Sequence, residues 1–245
     1  MTNDAPEITF RSDVTVELVR HSASDADVIF AARVSTQGEQ TLEGASSGAE
    51  ATERDRGLIN YLMRDRHGSP FEHNSMTFYV QAPIFVFREF MRHRIASYNE
   101  ESGRYRELRP VFYVPGPERK LVQVGKPGAY DFEDGTTEQH ELTVSEIKAS
   151  CTQAYESYQR MLDAGIAREV ARAVLPVTLY SSMYVTMNAR SLMNFLSLRT
   201  KREGTHFPSF PQREIEMVAE QMETAWEPLM PMTAAAFNAG GRVAP

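Results

Sequence analysis

The spacing of apolar residues along this chain switches repeatedly between two and three to four, and that alternation limits the fold more than any other feature. In DVTVELVRH (13–21), Val14, Val16 and Leu18 alternate with polar residues at the period of a half-buried strand. Ser24 then opens SDADVIFAARVS as an N-capped helix, and Thr52 opens TERDRGLINYLMRDRH with Leu58, Ile59, Leu62 and Met63 on one face. HGSPFEH (67–73) breaks that helix and SMTFYVQA (75–82) returns to a strand pattern. Pro83 heads PIFVFREFMRHR, where its missing N–H costs nothing. A long helix from Thr137 to Ala164 is expected to turn Leu142, Ile147, Cys151, Tyr155, Tyr158 and Leu162 inward. AREVARAVLP follows as a short helix ended by Pro176, then VTLYSSMYVTM as a strand and NARSLMNFLSLRTK as a helix. PQREIEMVAEQMETAWEPLM closes the pattern with Ile215, Val218, Met222, Trp226 and Leu229 inward.

This mixture predicts a single mixed α/β (α+β) domain over residues 1–245. Residues 1–10 and 232–245 are expected to be frayed tails. Residues 36–51, rich in Gly, Ser and Glu without periodicity, read as a surface loop. Residues 107–136, with four prolines and three glycines between Pro110 and Gly128, read as irregular. No internal repeat is present at solenoid periods.

A chain of 245 residues with 42% hydrophobic residues has enough apolar area for a core without staples. Its one cysteine, Cys151, cannot form an internal disulfide, and neither a basic-apolar leader nor a run of 18 apolar residues occurs. The expectation is a cytoplasmic protein with no membrane partner. A formal net charge of −7 argues against a general nucleic-acid binder, whose affinity comes from clustered positive charge. Basic residues concentrated locally on such a chain point instead to a small anionic ligand.

That concentration is RHRIASYNEESGRYR (92–106). Arginine offers a planar fork of donors that matches phosphate or carboxylate and stays charged at any working pH. Arg92, Arg94, Arg104 and Arg106 therefore form a phosphate-binding set, with Ser97, Asn99 and Ser102 as neutral partners and Gly103 allowing close backbone approach. The bland alternative is salt bridging with Glu89, Glu100, Glu101 and Glu107. A second set comprises Arg172, Asn188, Arg190, Asn194 and Arg199. On one helix Arg190 and Asn194 share a face, and Arg199 stands about 140° from Asn194, so one helix can touch two ligands or simply present a solvated side.

Other candidates carry less. His67, Glu72 and His73 of HGSPFEH invite a metal reading, but Pro70 prevents the helical i, i+4 presentation of paired histidines, and a turn with a cap-like Ser69 is the alternative; no metal is assigned. Cys151 lies on an apolar stripe between Ile147 and Tyr155 and reads as a structural thiol. Ser102 as a nucleophile needs an oriented base, for which His93 is the nearest candidate; a ligand-positioning hydroxyl is preferred.

Arg92-His93-Arg94, seven residues, then Ser102 resembles the signature of the flavin-dependent thymidylate synthases. HGSPFEH upstream, and ARAVLP with NARSLMNFLSLR downstream, extend the likeness from about residue 14 to 230. The resemblance implies methylation of dUMP to dTMP with methylenetetrahydrofolate as carbon donor and FAD, reduced by NADPH, as hydride source, without an enzyme thiol. It implies flavin contacts from Ser69, Arg92, His93, Arg94, Glu100, Asn188, Arg190 and Asn194. It places Glu89, Arg92, Ser102, Gly103, Arg104, Arg172 and Arg199 at dUMP, with Arg199 favouring ionisation of the uracil N3. A family-specific mixed α/β fold and a homotetramer with shared active sites are implied too.

Glu89 stands where some members carry glutamine, and the 36–51 loop and THFPSFPQ after Arg199 look like local variations. Two readings from other classes remain: a non-catalytic nucleotide- or RNA-binding module, with Tyr98 and Tyr105 beside the arginines, and a metal-dependent phosphohydrolase using HGSPFEH.

Overall fold

The computed structural model describes residues 7–42, 52–126 and 129–245. Eight strands and eight α-helices follow in the order β1 (Thr9–Arg11), β2 (Thr15–Ser22), α1 (Asp25–Gln37), α2 (Glu53–Arg64), β3 (Ser75–Pro83), α3 (Ile84–Phe90), β4 (Ser97–Glu100) and β5 (Val111–Tyr113) among the described residues. Then come β6 (Val122–Lys126), β7 (Ala129–Glu133), α4 (Thr137–Asp163), α5 (Arg168–Ala171), β8 (Tyr180–Met187), α6 (Ala189–Arg199), α7 (Arg213–Trp226) and α8 (Pro231–Ala239). The mixed α/β expectation holds. One sheet has the strand order β2-β3-β8-β4, β1 pairs in parallel with β5, and β6 pairs antiparallel with β7.

The chain forms two compact units that interleave in sequence, so no single linker separates consecutive domains. Unit 1 comprises residues 1–14, 81–92 and 99–183; unit 2 comprises 15–80, 93–98 and 184–245.

Unit 1 is centred on Leu108, Phe112, Cys151, Tyr155, Tyr158, Ala171 and Leu179. Tyr158 is fully buried, and its hydroxyl accepts the Leu108 N–H at 3.3 Å. Helix α4 supplies three of these residues from one stripe, because Cys151, Tyr155 and Tyr158 recur at intervals of four and three. Its first turns reach beyond that core. Leu142, expected inward, is 61% exposed, and Ile147 and Leu162 are only partly buried. The cap Thr136 and a Gln139 side chain returning to the Thr136 N–H at 2.9 Å start the helix without needing Leu142 as an anchor.

Unit 2 buries Ile59, Leu62 and Met63 of α2, the β3 residues Met76, Phe78 and Val80, and Leu192, Met193, Phe195 and Leu196 of α6. The α7 stripe Ile215, Val218, Met222 and Trp226 is buried as its spacing predicts, while Leu229 is only partly so and Met230 takes the buried position. Helix starts obey local chemistry. Ser24 Oγ accepts the Asp27 N–H at 3.3 Å, and Asp55 receives the Thr52 N–H at 2.9 Å.

Several irregular stretches are ordered instead. Helix α1 and a 3₁₀ turn, Gly38–Gln40, occupy the start of the expected 36–51 loop; residues 43–51 lie outside the described residues. β5 to β7 lie within 107–136, which reads as irregular, and β4 lies within the arginine-rich segment, where the spacing predicts no strand. Ile84 begins α3 with Pro83 as its N-cap rather than its first residue. Of the expected frayed N-terminus, Thr9 and Phe10 form β1, and residues 1–6 lie outside the described residues.

The expected frayed tail at 232–245 is helical through Ala239, and the reason is a long-range cap. The buried carboxylate of Asp25 accepts the Met232 N–H at 2.8 Å and the Thr233 N–H at 2.9 Å, satisfying donors that the first turn of α8 cannot pair by itself.

Candidate active site

The expected site residues divide between the two units, and each group has its own geometry. In unit 1, Glu89 and Arg92 sit at the end of α3, where the Arg92 N–H bonds the Glu89 carbonyl at 3.2 Å and the Arg92 side chain is exposed. β4 then carries Glu100, half-buried. Burial raises its carboxyl above the ordinary range; a Ser181 hydrogen bond and the Arg172 charge pull it down, and Glu101 pushes it up.

Ser102 starts a tight turn. Its Oγ accepts the Arg104 N–H at 3.3 Å and its carbonyl the Tyr105 N–H at 3.1 Å. Gly103 is buried beneath Arg172: a Cβ there lies 2.7 Å from Leu108 Cδ1 and 3.2 Å from Arg172 Cδ. A side chain at this position would have to push back the Leu108 side chain first and the Arg172 stem second. The salt-bridge alternative is partly realised, since Arg104 pairs with Glu169 at 3.0 Å and Arg106 with Glu101 at 3.1 Å. Both arginines are more than half exposed, and such pairs are worth only about 0–1 kcal/mol, so an incoming phosphate can displace them.

In unit 2 the second set gathers around α6. Asn188 is its N-cap, with Oδ1 accepting the Ser191 N–H at 2.9 Å. Arg190 and Asn194 are exposed one turn apart, as the helical period requires. The Arg190 guanidinium reaches Glu72 at 2.6 Å and the Pro245 carbonyl at 2.6 Å. Beneath it lies Gly68, where a Cβ falls 2.5 Å from Arg190 Nε. Ser69 begins a 3₁₀ turn, Ser69–Glu72, and is exposed, as is Arg94.

His93 and Arg199 meet in the same unit. Arg199 Nε donates to His93 Nε2 at 3.0 Å, and the imidazole stands edge-on to Phe195 with centroids 4.9 Å apart. Burial, then the Arg199 charge, lowers the His93 pKa to about 4. A neutral ring whose Nε2 lone pair is already engaged is a poor base, so nucleophilic activation of Ser102 by His93 has no support. Tyr98 closes the turn by donating to the His93 carbonyl at 2.6 Å, and burial lifts its phenol to about 12.

The remaining candidates resolve simply. His67 packs edge-on against Tyr61 at 5.4 Å, and among the described residues no three His, Cys, Asp or Glu side chains are grouped as a metal would need. Cys151 is 1% exposed, shares a 3.2 Å hydrogen bond with the Thr178 hydroxyl, and burial pushes its pKa up. No described helix is long and apolar enough to cross a membrane. A cleft of about 620 Å³ in unit 2, lined by Tyr61, Arg64, His206 and Phe207 among others, contains none of the expected residues. Sequence reasoning missed Gly68 as a seat for Arg190, and missed Tyr98 as the latch on His93. Both stand inside stretches already singled out, but their partners are far off or on the main chain.

A family model described as "Thymidylate synthase complementing protein" matches residues 17–232. The chain is 69% identical to the flavin-dependent thymidylate synthase of Streptomyces coelicolor over 243 residues, 99% of this chain and 98% of that protein. It is 62% identical to the flavin-dependent thymidylate synthase of Tropheryma whipplei, over 96% of this chain and 97% of that protein. The solved structure of a UMP/dUMP methylase, PolB, from Streptomyces cacaoi bound with 5-Br UMP superposes with a TM-score of 0.89 at 58% identity, covering 98% of this chain and 100% of the other.

Proposed function

The chain belongs to the flavin-dependent thymidylate synthase family, and we propose that it methylates dUMP to dTMP with FAD as its flavin, methylenetetrahydrofolate as carbon donor and NADPH as reductant. The identity of 69% over 99% of the chain to a flavin-dependent thymidylate synthase carries this reading.

The donor chemistry of unit 2 suits a flavin dinucleotide. Arg190 and Arg94 supply charge for a pyrophosphate, Ser69, Asn188 and Asn194 supply neutral hydrogen-bonding groups, and the Gly68 backbone leaves room beside Arg190. His93 completes that set, and the family resemblance assigns Arg92 and Glu100 to the flavin as well. A flavin held by these residues would supply the hydride that completes the methyl group.

The chain's own residues hold the nucleotide. Arg172 and Arg104 are assigned to the phosphate, with Arg92, Ser102, the Gly103 backbone and Glu89 completing the dUMP set. Arg199 is assigned to the pyrimidine, where a fixed positive charge within about 4–6 Å favours the N3-deprotonated form by roughly 1–3 pKa units and makes the ring a better carbon nucleophile. His93 contributes by remaining neutral, accepting from Arg199 Nε and so orienting the rest of the guanidinium. Cys151, capped by Thr178 in the unit 1 core, has no part in attack on the ring.

A homotetramer with shared sites accounts for exposed Ile95, Tyr105, Phe207 and Phe210, each more than half exposed. A cytoplasmic enzyme acting on small molecules rather than on nucleic acid is the reading proposed, and the formal net charge of −7 supports the second half of it.

The test is a visible spectrum of the purified protein followed by a dTMP assay with methylenetetrahydrofolate, NADPH or FAD left out in turn, and with UMP in place of dUMP. A yellow protein that needs methylenetetrahydrofolate and NADPH with dUMP, and needs added FAD only after its flavin has been stripped, is expected. A colourless, folded protein that makes no dTMP with all three present refutes the reading.

A further inference from the structure

We infer that Arg242, outside every sequence motif, is a positioning residue for Arg199, acting through the Thr200 hydroxyl at the C-terminal cap of α6. This rests on the role given to Arg199 above.

Arg199 is the last residue of α6, where carbonyls run out of helical partners and the side-chain direction depends on how the backbone leaves the helix. Thr200 sets that exit. It is fully buried and extended (φ −125°, ψ 141°), and both its N–H, at 3.1 Å, and its Oγ1, at 2.7 Å, donate to the Leu196 carbonyl. With its proton committed, the hydroxyl oxygen can only accept, and Arg242 Nη2 donates to it at 2.9 Å.

Arg242 is itself fixed. It is 6% exposed, its Nη1 lies 2.6 Å from the buried carboxylate of Glu223 on α7, and its guanidinium stacks 4.8 Å over Phe237. The same carboxylate takes Arg202 Nη2 at 3.0 Å, so α7 clamps the chain on both sides of Lys201. Arg242 also holds a left-handed backbone, φ +58°, unusual for a residue with a Cβ. A buried cation in a strained conformation is a weak device for stability alone, since well-packed apolar residues often serve as well. A charged fork with one direction for Glu223 and another for Thr200 is suited to fixing a geometry.

The consequence falls on the 3.0 Å contact between Arg199 and His93. Without Arg242 the exit from α6 loosens and Arg199 loses its fixed approach to His93, while the unit 1 groups assigned to the nucleotide phosphate stay as they are.

The experiment is Arg242→Met in the flavin-loaded enzyme, in the native and Arg199→Ala backgrounds. In the native background kcat is expected to fall about tenfold with KM for dUMP within about twofold; in Arg199→Ala the same change is expected to alter kcat by less than about twofold. Arg242→Lys recovers part of the loss. Nitrogen-15 NMR of the imidazoles gives a reading independent of turnover: the His93 pKa rises in Arg242→Met, in the direction it takes in Arg199→Ala. An equal kcat loss in both backgrounds, or a lowered Tm with kcat and the His93 titration unchanged, overturns the inference while leaving the Arg199 reading standing. An Arg199→Ala enzyme with native kcat overturns both. If Arg242→Met does not fold, Thr200→Val removes the acceptor at constant shape and is held to the same outcomes.

Discussion

Arg199 Nε points at His93 Nε2 across 3.0 Å, joining two residues 106 positions apart into one unit of charge and acceptor. The acceptor must be the unprotonated nitrogen, so His93 carries its proton on Nδ1 and stays neutral while Arg199 is in place.

This pair has a signature in stability against pH. His93 is held at about 4 in the folded chain, against an ordinary value of 6.5. Between those values the unfolded chain takes up a proton that the native one refuses, so stability falls as pH drops through the window and is full above it. Urea unfolding at several pH values should show native stability dropping relative to His93→Gln between about pH 6.5 and 4. A constant difference between the two proteins contradicts the assigned neutral ring.

Arg199→Ala and Arg172→Ala are expected to separate turnover from affinity. Losing the charge that favours the N3 anion should lower single-turnover rates by about 10- to 1000-fold, the equivalent of 1–3 pKa units, with dUMP affinity little changed. Losing Arg172 should weaken dUMP binding, measured by calorimetry, with the rate at saturation nearly kept. Uniform loss of binding in both, at unchanged single-turnover rates, contradicts the split.

Gly68→Ala places a methyl group 2.5 Å from Arg190 Nε. The backbone or the guanidinium must shift, at a cost of about 1–3 kcal/mol typical of overpacking. Purified Gly68→Ala is expected to retain less flavin per chain, read from its visible absorbance relative to that at 280 nm. Full flavin content at native affinity removes Arg190 from the cofactor set.

Cys151→Ala should keep native turnover. The cost is confined to packing and one hydrogen bond to Thr178, on the order of 1 kcal/mol of stability by urea unfolding. A folded, flavin-loaded variant without activity overturns the assignment of this thiol as structural.

What was legible in the sequence was whatever short-range spacing controls. The β2 alternation, the α7 stripe and the caps at Ser24 and Thr52 depend on neighbours within about a turn or a pleat, so residue order alone specifies them. The arginine-rich segment was legible as a local concentration of charge for the same reason: the side-chain chemistry is local even where its partners are not. β4 and the β6–β7 hairpin were not, because strands of four or five residues among prolines and glycines have no periodicity to read.

Tertiary structure alone decided the rest. The last helix is ordered because Asp25, 207 residues away from Met232, caps it, and no window of sequence contains both. The pairing of His93 with Arg199, the seating of Arg190 over Gly68 and the clamp of Arg242 and Glu223 on Thr200 are likewise contacts between distant positions. Spacing along a chain constrains which side chains share a face; it does not constrain which faces meet, because that is set by the packing of buried apolar surface throughout each unit.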